Sequence, residues 1–298
     1  MANLEKRGML AIVIPSVIWG SVGINVYLLS KQGLEPFTIN FFNMLIGSIF
    51  IYWYADYRGH AVKFRHDANV TKHLILQGVF FALTVITLFF AFIHTSISDA
   101  SFIQQTMPIW VMVLSALFLK EKITSRKILA LLLAVVGVFF LFQVHIASTS
   151  YVGDFLALLS SFAFSGMVLN GRTLKNVSEY TTTFFQLSVA CLIMFPFMLV
   201  RLGHNSPHNY WYIVALLLFL GVVNTGITQR LLLYGLRYVE ASKASLINLI
   251  EPLSATIFAF FVLSQKVTAS SLVGIFLIMT AVVIILTSAT KQSSVKAG

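Results

Sequence analysis

The chain has 298 residues, 58% of them hydrophobic and 10% charged, with a mean hydropathy of +0.89 and a formal net charge of +10. A water-soluble fold of this composition would have nowhere to put its apolar surface, so the soluble classes are excluded and a bilayer is required. The positive charge would suit nucleic acid in a soluble protein, but here it follows membrane topology, which removes nucleic acid as a partner.

A membrane helix needs about 20 mainly apolar residues, because about 30 Å of hydrocarbon is crossed at about 1.5 Å per residue. In chain order such runs fall at 8–29, 34–54, 74–93, 99–119, 127–145, 152–170, 180–200, 211–235, 243–263 and 270–289. They are continuous and do not alternate with a period of two, so a β-barrel is excluded and helices remain as the way to satisfy the backbone in lipid. The first run is long and followed by nine more, unlike a cleaved signal peptide. The expected fold is an all-α membrane protein of ten transmembrane helices. With the N-terminus in the cytoplasm, sixteen lysines and arginines fall on the inner side, Lys72, Lys127, Lys243 and Lys296 among them. Only Lys31, Arg201 and Lys266 fall on the outer side, and Arg230 lies within the eighth run. The positive-inside rule then predicts that both termini are cytoplasmic. A single cysteine, Cys191, permits no intrachain disulfide.

The two halves resemble each other at a shift of about 144 residues. Ala100-Ser101-Phe102-Ile103-Gln104 through Pro108 lies over Ala244-Ser245-Leu246-Ile247-Asn248 through Pro252, and Lys122-Ile123-Thr124 over Lys266-Val267-Thr268. Earlier in each half, Thr38, Phe41, Phe42 and Asn43 lie over Thr181, Phe184, Phe185 and Gln186, and Ser16 and Asn25 over Ser161 and Asn170. Residues 1–147 and 148–298 are therefore read as two five-helix repeats. Five is odd, so the second repeat must enter the membrane from the opposite side. An inverted repeat offers two nearly equivalent packings, one open to each side, with a ligand site near the midplane.

Several residues carry a resemblance to the drug/metabolite transporter superfamily, EamA type, over nearly the whole chain. They are Trp19-Gly20, Pro36, Ala100-Ser101 with Pro108, Leu119-Lys120-Glu121-Lys122-Ile123-Thr124, Glu251-Pro252 and Gly274. The resemblance implies ten helices with cytoplasmic termini and transport of a metabolite, often amino-acid export. Many members have an arginine in the second helix where this chain has Asn43.

Polar side chains are costly in hydrocarbon, so their positions mark a candidate pathway. Ser101, Gln104, Gln105 and Pro108 recur at helical spacing on one face of the fourth helix, and Ser245, Asn248, Glu251 and Pro252 on the matching face of the ninth. Pro108 and Pro252 are expected to kink their helices and free a carbonyl. Glu251 is the proton-coupling candidate, or a partner for a substrate amine, because an ionised carboxylate there is expensive. Arg230 could snorkel, join an internal ion pair or meet a substrate carboxylate. Asn40, Asn43 and Gln186 could hydrogen-bond a zwitterion, and Trp19, Trp110 and Tyr234 could stack on a ligand or simply pack.

No sequence of the type H-E-x-x-H, G-x-S-x-G or Walker A is present, and no His/Cys cluster has metal-ligand spacing, so neither enzyme chemistry nor a cofactor is expected. The expected function is secondary or facilitative export of small metabolites, amino acids and aromatic ones in particular, from a bacterial inner membrane. Uptake of a cationic nutrient such as a quaternary amine is the alternative, and a scaffold or lipid-handling protein without solute flux is another. Expected partners are a small-molecule substrate and the bilayer. The fifth and tenth helices, nearly uninterrupted in their apolar character, are assigned to packing or to contacts in a homodimer.

Overall fold

The computed structural model describes residues 2–142, 150–200 and 209–295. Among these, ten helices are long and apolar enough to cross a membrane: Asn3–Lys31, Pro36–Tyr57, Ala68–His94, Ile97–Phe118, Ser125–Phe142, Tyr151–Asn176, Glu179–Val200, Tyr210–Tyr238, Ala241–Leu263 and Ala269–Thr287. They are called the first to tenth spans below. The boundary expected between residues 147 and 148, the end of the fifth run at 143–145, and the cations Arg201 and Lys296 lie outside the described residues.

The spans pack in a pattern that reflects the repeat. The first packs on the eighth and the third on the sixth; the second on the eighth and the third on the seventh; the first on the ninth and the fourth on the sixth. Second and seventh, fourth and ninth, and fifth and tenth also pair. Exchanging every span for the one five places along maps this set of pairs onto itself.

Lipid offers little hydrophobic drive between helices, so close approach at small residues has to hold them together. Those approaches recur in both halves. A Cβ on Gly78 would meet Val189 and the Gln186 carbonyl, and a Cβ on Gly221, 143 positions later, would meet Ile46 and the Asn43 carbonyl. Gly8 lies against Val239, and Gly153, 145 positions later, against Thr95. Gly137 and Gly274 face each other where the fifth and tenth spans cross. The fourth and ninth spans also end alike, on the left-handed residues Lys120 and Ser264, with Glu121 N–H donating to the Ser115 carbonyl and Gln265 N–H to that of Ala259. The largest apolar core runs between the two repeats, from Met9 and Ile12 through Met107, Val111 and Met167 to Leu232, Leu246 and Ile278.

Four spans depart from plain helices. The first is interrupted at Gly20-Ser21, between helices Ala2–Trp19 and Val22–Lys31. The eighth contains a π-helical stretch, Phe219–Ile227, flanked by α-helix on both sides. The fourth and ninth break at matching places, which positions the site. Each span crosses to the other side, so the ends near Glu5, Lys122 and Glu240 share the side of the N-terminus, called the terminal face here.

Candidate functional site

The fourth span breaks at Gln105-Thr106 and the ninth at Asn248-Leu249. The prolines cause this. Pro108 has no N–H to donate to the carbonyl of Gln104, nor Pro252 to that of Asn248, and each ring crowds the carbonyl four residues back. The backbone tightens instead: Thr106 N–H donates to Ile103 (3.1 Å), Leu249 N–H to Leu246 (3.3 Å) and Glu251 N–H to Asn248 (2.9 Å). The face through Ser101, Gln104, Gln105 and Pro108 is therefore split in two at the proline where a kink was expected.

A neighbouring span braces each break. The Ser16 hydroxyl donates to Asn248 Oδ1 (2.8 Å), Ser254 donates to the Ser16 carbonyl (3.3 Å), and Gly20 lies directly against the backbone of Ser254 and Ala255. In the other half, Thr106 Oγ1 lies 3.2 Å from the Ser161 hydroxyl, and Ser165 donates to the Met107 carbonyl (3.2 Å). Ser16 and Ser161, paired by the sequence repeat, thus do the same work at the two breaks.

Beyond the breaks the symmetry ends. The terminal-face halves of the two spans, Met107–Phe118 and Ala241–Ile247, pack against each other, and every residue from Ala241 to Leu249 is buried. The other halves share no comparable packing: Ile97–Gln104 lies on the third, fifth and sixth spans, and Ile250–Leu263 on the first and tenth. The two broken helices diverge away from the terminal face, with their breaks at the closed end of the gap.

Glu251 stands at that closed end. It lies between Asn248 and Ser254, both bonded to Ser16, yet is half-buried and makes no side-chain hydrogen bond or ion pair among the described residues. Gln104 and Ser101 are also half-buried, whereas Asn248 and Ser245 are sealed, the latter donating to the Ser242 carbonyl (3.1 Å). Pro108 and Pro252 are buried. Gln105 Oε1 and Trp110 Nε1 are buried polar atoms without a hydrogen-bond partner among the described residues, and the Trp110 ring meets Phe162 edge-on at 5.6 Å.

The remaining candidates fall into three other places. Trp19 shares its indole N–H between the Asn224 carbonyl (2.9 Å) and the Thr228 hydroxyl (2.8 Å) of the eighth span, so it is a helix tie. Asn224 Nδ2 donates to the Ser21 hydroxyl (2.9 Å), Asn40 to the Pro36 carbonyl (2.9 Å), and the side-chain oxygens of Asn224 and Asn43 are buried without hydrogen-bond partners among the described residues. Arg230 hydrogen-bonds the Tyr180 hydroxyl (2.8 Å), lies over the Tyr180 and Tyr54 rings, and stands 4.0 Å from Glu179, which also pairs with Arg237. Of the roles weighed for Arg230, this is the internal ion pair. Tyr234 meets Tyr238 edge-on at 5.2 Å.

Gln186 is the centre of a buried chain that no single position foreshadows. His73 Nδ1 lies 2.6 Å from Asn170 Oδ1; Asn170 Nδ2 donates to Gln77 Oε1 (2.7 Å), Gln77 Nε2 to Gln186 Oε1 (3.1 Å) and Gln186 Nε2 to Gln229 Oε1 (3.0 Å). The chain joins the third, sixth, seventh and eighth spans. Gln186→Leu should strip Gln77 Nε2 and Gln229 Oε1 of their Gln186 bonds and lower stability by about 1–3 kcal/mol for each stranded group. Thermal unfolding in detergent measures this, and an unchanged midpoint would show the chain to be dispensable.

The model of the EamA-like transporter family matches twice, at residues 6–143 and 151–287, each match spanning five of the ten spans. A transporter of Bacillus subtilis, YxxF, is 25% identical over 85% of this chain and 81% of its own length. A transporter of Archaeoglobus fulgidus is 25% identical over 94% of this chain and 96% of its own. The pseudopaline exporter CntI of Pseudomonas aeruginosa is 29% identical over 74% of this chain and 76% of its own. One solved crystal structure superposes with a TM-score of 0.81 over 96% of this chain and 98% of its own, at 15% identity, a likeness of fold. Ten apolar spans, a duplicated five-span unit and these matches make the chain an integral membrane protein that belongs to the EamA-like transporter family.

Proposed function

We propose that the chain exports small zwitterionic metabolites of the amino-acid class, by alternating access of its two repeats, across a bacterial inner membrane with both termini in the cytoplasm. The observation that carries this reading is the divergence of the two broken helices above a closed half, with Glu251 unpartnered at the breaks. A space closed at one face and bordered by symmetry-related breaks is the shape that an inverted repeat needs in one of its two states. Glu251 offers an acceptor for a substrate amine or for a coupling proton, and the half-buried Gln104 and Ser101 offer hydrogen bonds nearby in the matching helix. The exporter CntI among the relatives agrees in direction, and the sixteen-to-three bias of lysine and arginine agrees with cytoplasmic termini.

The test is counterflow in proteoliposomes with a panel of radiolabelled amino acids and amines. Exchange of at least one amino acid is expected, and strict absence of counterflow across the panel would overturn the transporter mechanism proposed. The unpartnered carboxylate also favours a second reading, uptake of a cationic amine. Overexpressing cells grown on toxic amino-acid or amine analogues separate the two, because export gives resistance and uptake gives sensitivity.

A further inference from the structure

The two faces of the protein carry different chemistry at the ends of the broken helices. At the terminal face Glu121, which follows the left-handed Lys120, accepts the backbone N–H groups of Ala241 (2.7 Å) and Ser242 (3.1 Å) and the Ser242 hydroxyl (2.6 Å). A carboxylate of the first repeat thus caps the start of the ninth span. Lys127, 3% exposed, places its Nζ 2.9 Å from Glu240 and donates to the Ser242 hydroxyl (2.7 Å) and the Lys122 carbonyl (2.9 Å). Lys243, 6% exposed, pairs with Glu5 at 2.9 Å and with Glu240 at 3.7 Å. Five charged side chains therefore tie the first span, the connection between the fourth and fifth, and the start of the ninth into one cluster.

The repeat supplies the comparison. At the corresponding positions, about 144 residues away, Glu121 is matched by Gln265, Glu240 by Ser96 and Lys127 by Ser271, while Lys243 is matched by Asp99. Three charged positions of the terminal face are uncharged at the opposite face.

We propose that the Glu5, Glu121, Lys127, Glu240 and Lys243 cluster is a charged latch that holds the terminal face shut, and that its largely uncharged counterpart biases the resting protein toward the state open at the opposite face. The inference rests on alternating access of the two repeats but not on the identity of the cargo. Two buried lysines are tolerable only with their acceptors in place, and opening the terminal face would hydrate them. Removing an acceptor therefore penalises the closed state alone and shifts the equilibrium to the other.

The test places a thiol behind the latch. In a Cys191→Ala background, Ser245→Cys sits in the sealed half of the ninth span and is probed with a membrane-impermeant maleimide in inverted membrane vesicles. Labelling is expected to be slow with the latch intact and at least about tenfold faster in Glu240→Gln, which takes the carboxylate from the buried lysines, and in Glu121→Gln, which removes the charge that caps the ninth span. It is expected to stay near the parent rate in Glu240→Asp, which keeps a carboxylate for Lys127 and Lys243. Native Cys191, buried in the seventh span, serves as the folding control in chains without Ser245→Cys: it stays unlabelled if the latch has opened and reacts if the chain has unfolded. Should one glutamine variant unfold, the other decides by comparison with Glu240→Asp. Equal labelling rates in Glu121→Gln, Glu240→Gln and the intact latch would overturn the proposal. Labelling needs no substrate, so this failure is separable from failure of the proposed cargo.

Discussion

Glu251→Gln is expected to remove the pH dependence of transport and to cut the rate at least about tenfold, a loss of about 1.4 kcal/mol in the transport barrier. The substitution keeps the shape of the side chain and removes only its capacity to exchange a proton or to carry charge. Because Glu251 makes no side-chain bond or ion pair among the described residues, the exchange breaks no contact of the fold, so thermal stability should stay where it is. Glu251→Asp, which restores the carboxyl on a shorter arm, should recover part of the rate and all of the pH dependence. The measurement is proteoliposome flux with and without a proton gradient, from pH 5 to 8. A glutamine variant with the parent's rate and pH profile would end the coupling role and leave Glu251 without an assigned one.

Gly274→Val should lower stability by about 3 kcal/mol. A Cβ at Gly274 would lie 2.5 Å from the Gly137 carbonyl oxygen and 2.7 Å from the Leu141 nitrogen. Both are backbone atoms that no rotamer change can move aside, so the fifth and tenth spans would have to separate along their crossing. Thermal unfolding in detergent reads the loss. Gly23→Ala is the matched control, because a Cβ there meets nothing within 4 Å and should leave the midpoint unchanged. Equal midpoints for the two variants would show that the crossing is not tightly packed in the folded protein.

Ten spans were legible from composition because hydrocarbon thickness sets a length that few other constraints mimic. The inverted arrangement was legible because Ala100-Ser101 to Pro108 and Ala244-Ser245 to Pro252 repeat in order, and the same prolines mark where the two helices break. Other signals were present but silent. Gly8 with Gly153, and Gly78 with Gly221, stand at the repeat shift and mark equivalent crossings, yet one glycine among seventeen says nothing until its neighbour is known. Gln77 and Gln229 look like isolated polar residues in separate runs, and only packing reveals that they complete the chain through Gln186. The π-helical stretch of the eighth span and the interruption at Gly20-Ser21 have no pattern of their own, because they answer to partners such as Trp19 and Ser254. Gln104 and Asn248 are equivalent by sequence, and the alternating access proposed above requires that equivalent residues differ within one state. One is therefore half open, and the other is sealed against Ser16.

The contact of Gly137 with Gly274 has a mechanical side as well. The fifth and tenth spans come from different repeats, and their backbones touch with no side chain between them to act as a bearing. Sliding one past the other would drive Leu141 and Ile278 into the facing glycine, so a movement of the repeats that keeps this contact is a rotation about it. The displacement such a rotation produces grows with distance from the seam. Ile97–Gln104 packs on the fifth span and Ile250–Leu263 on the tenth, so each broken helix would turn with the span it rests on.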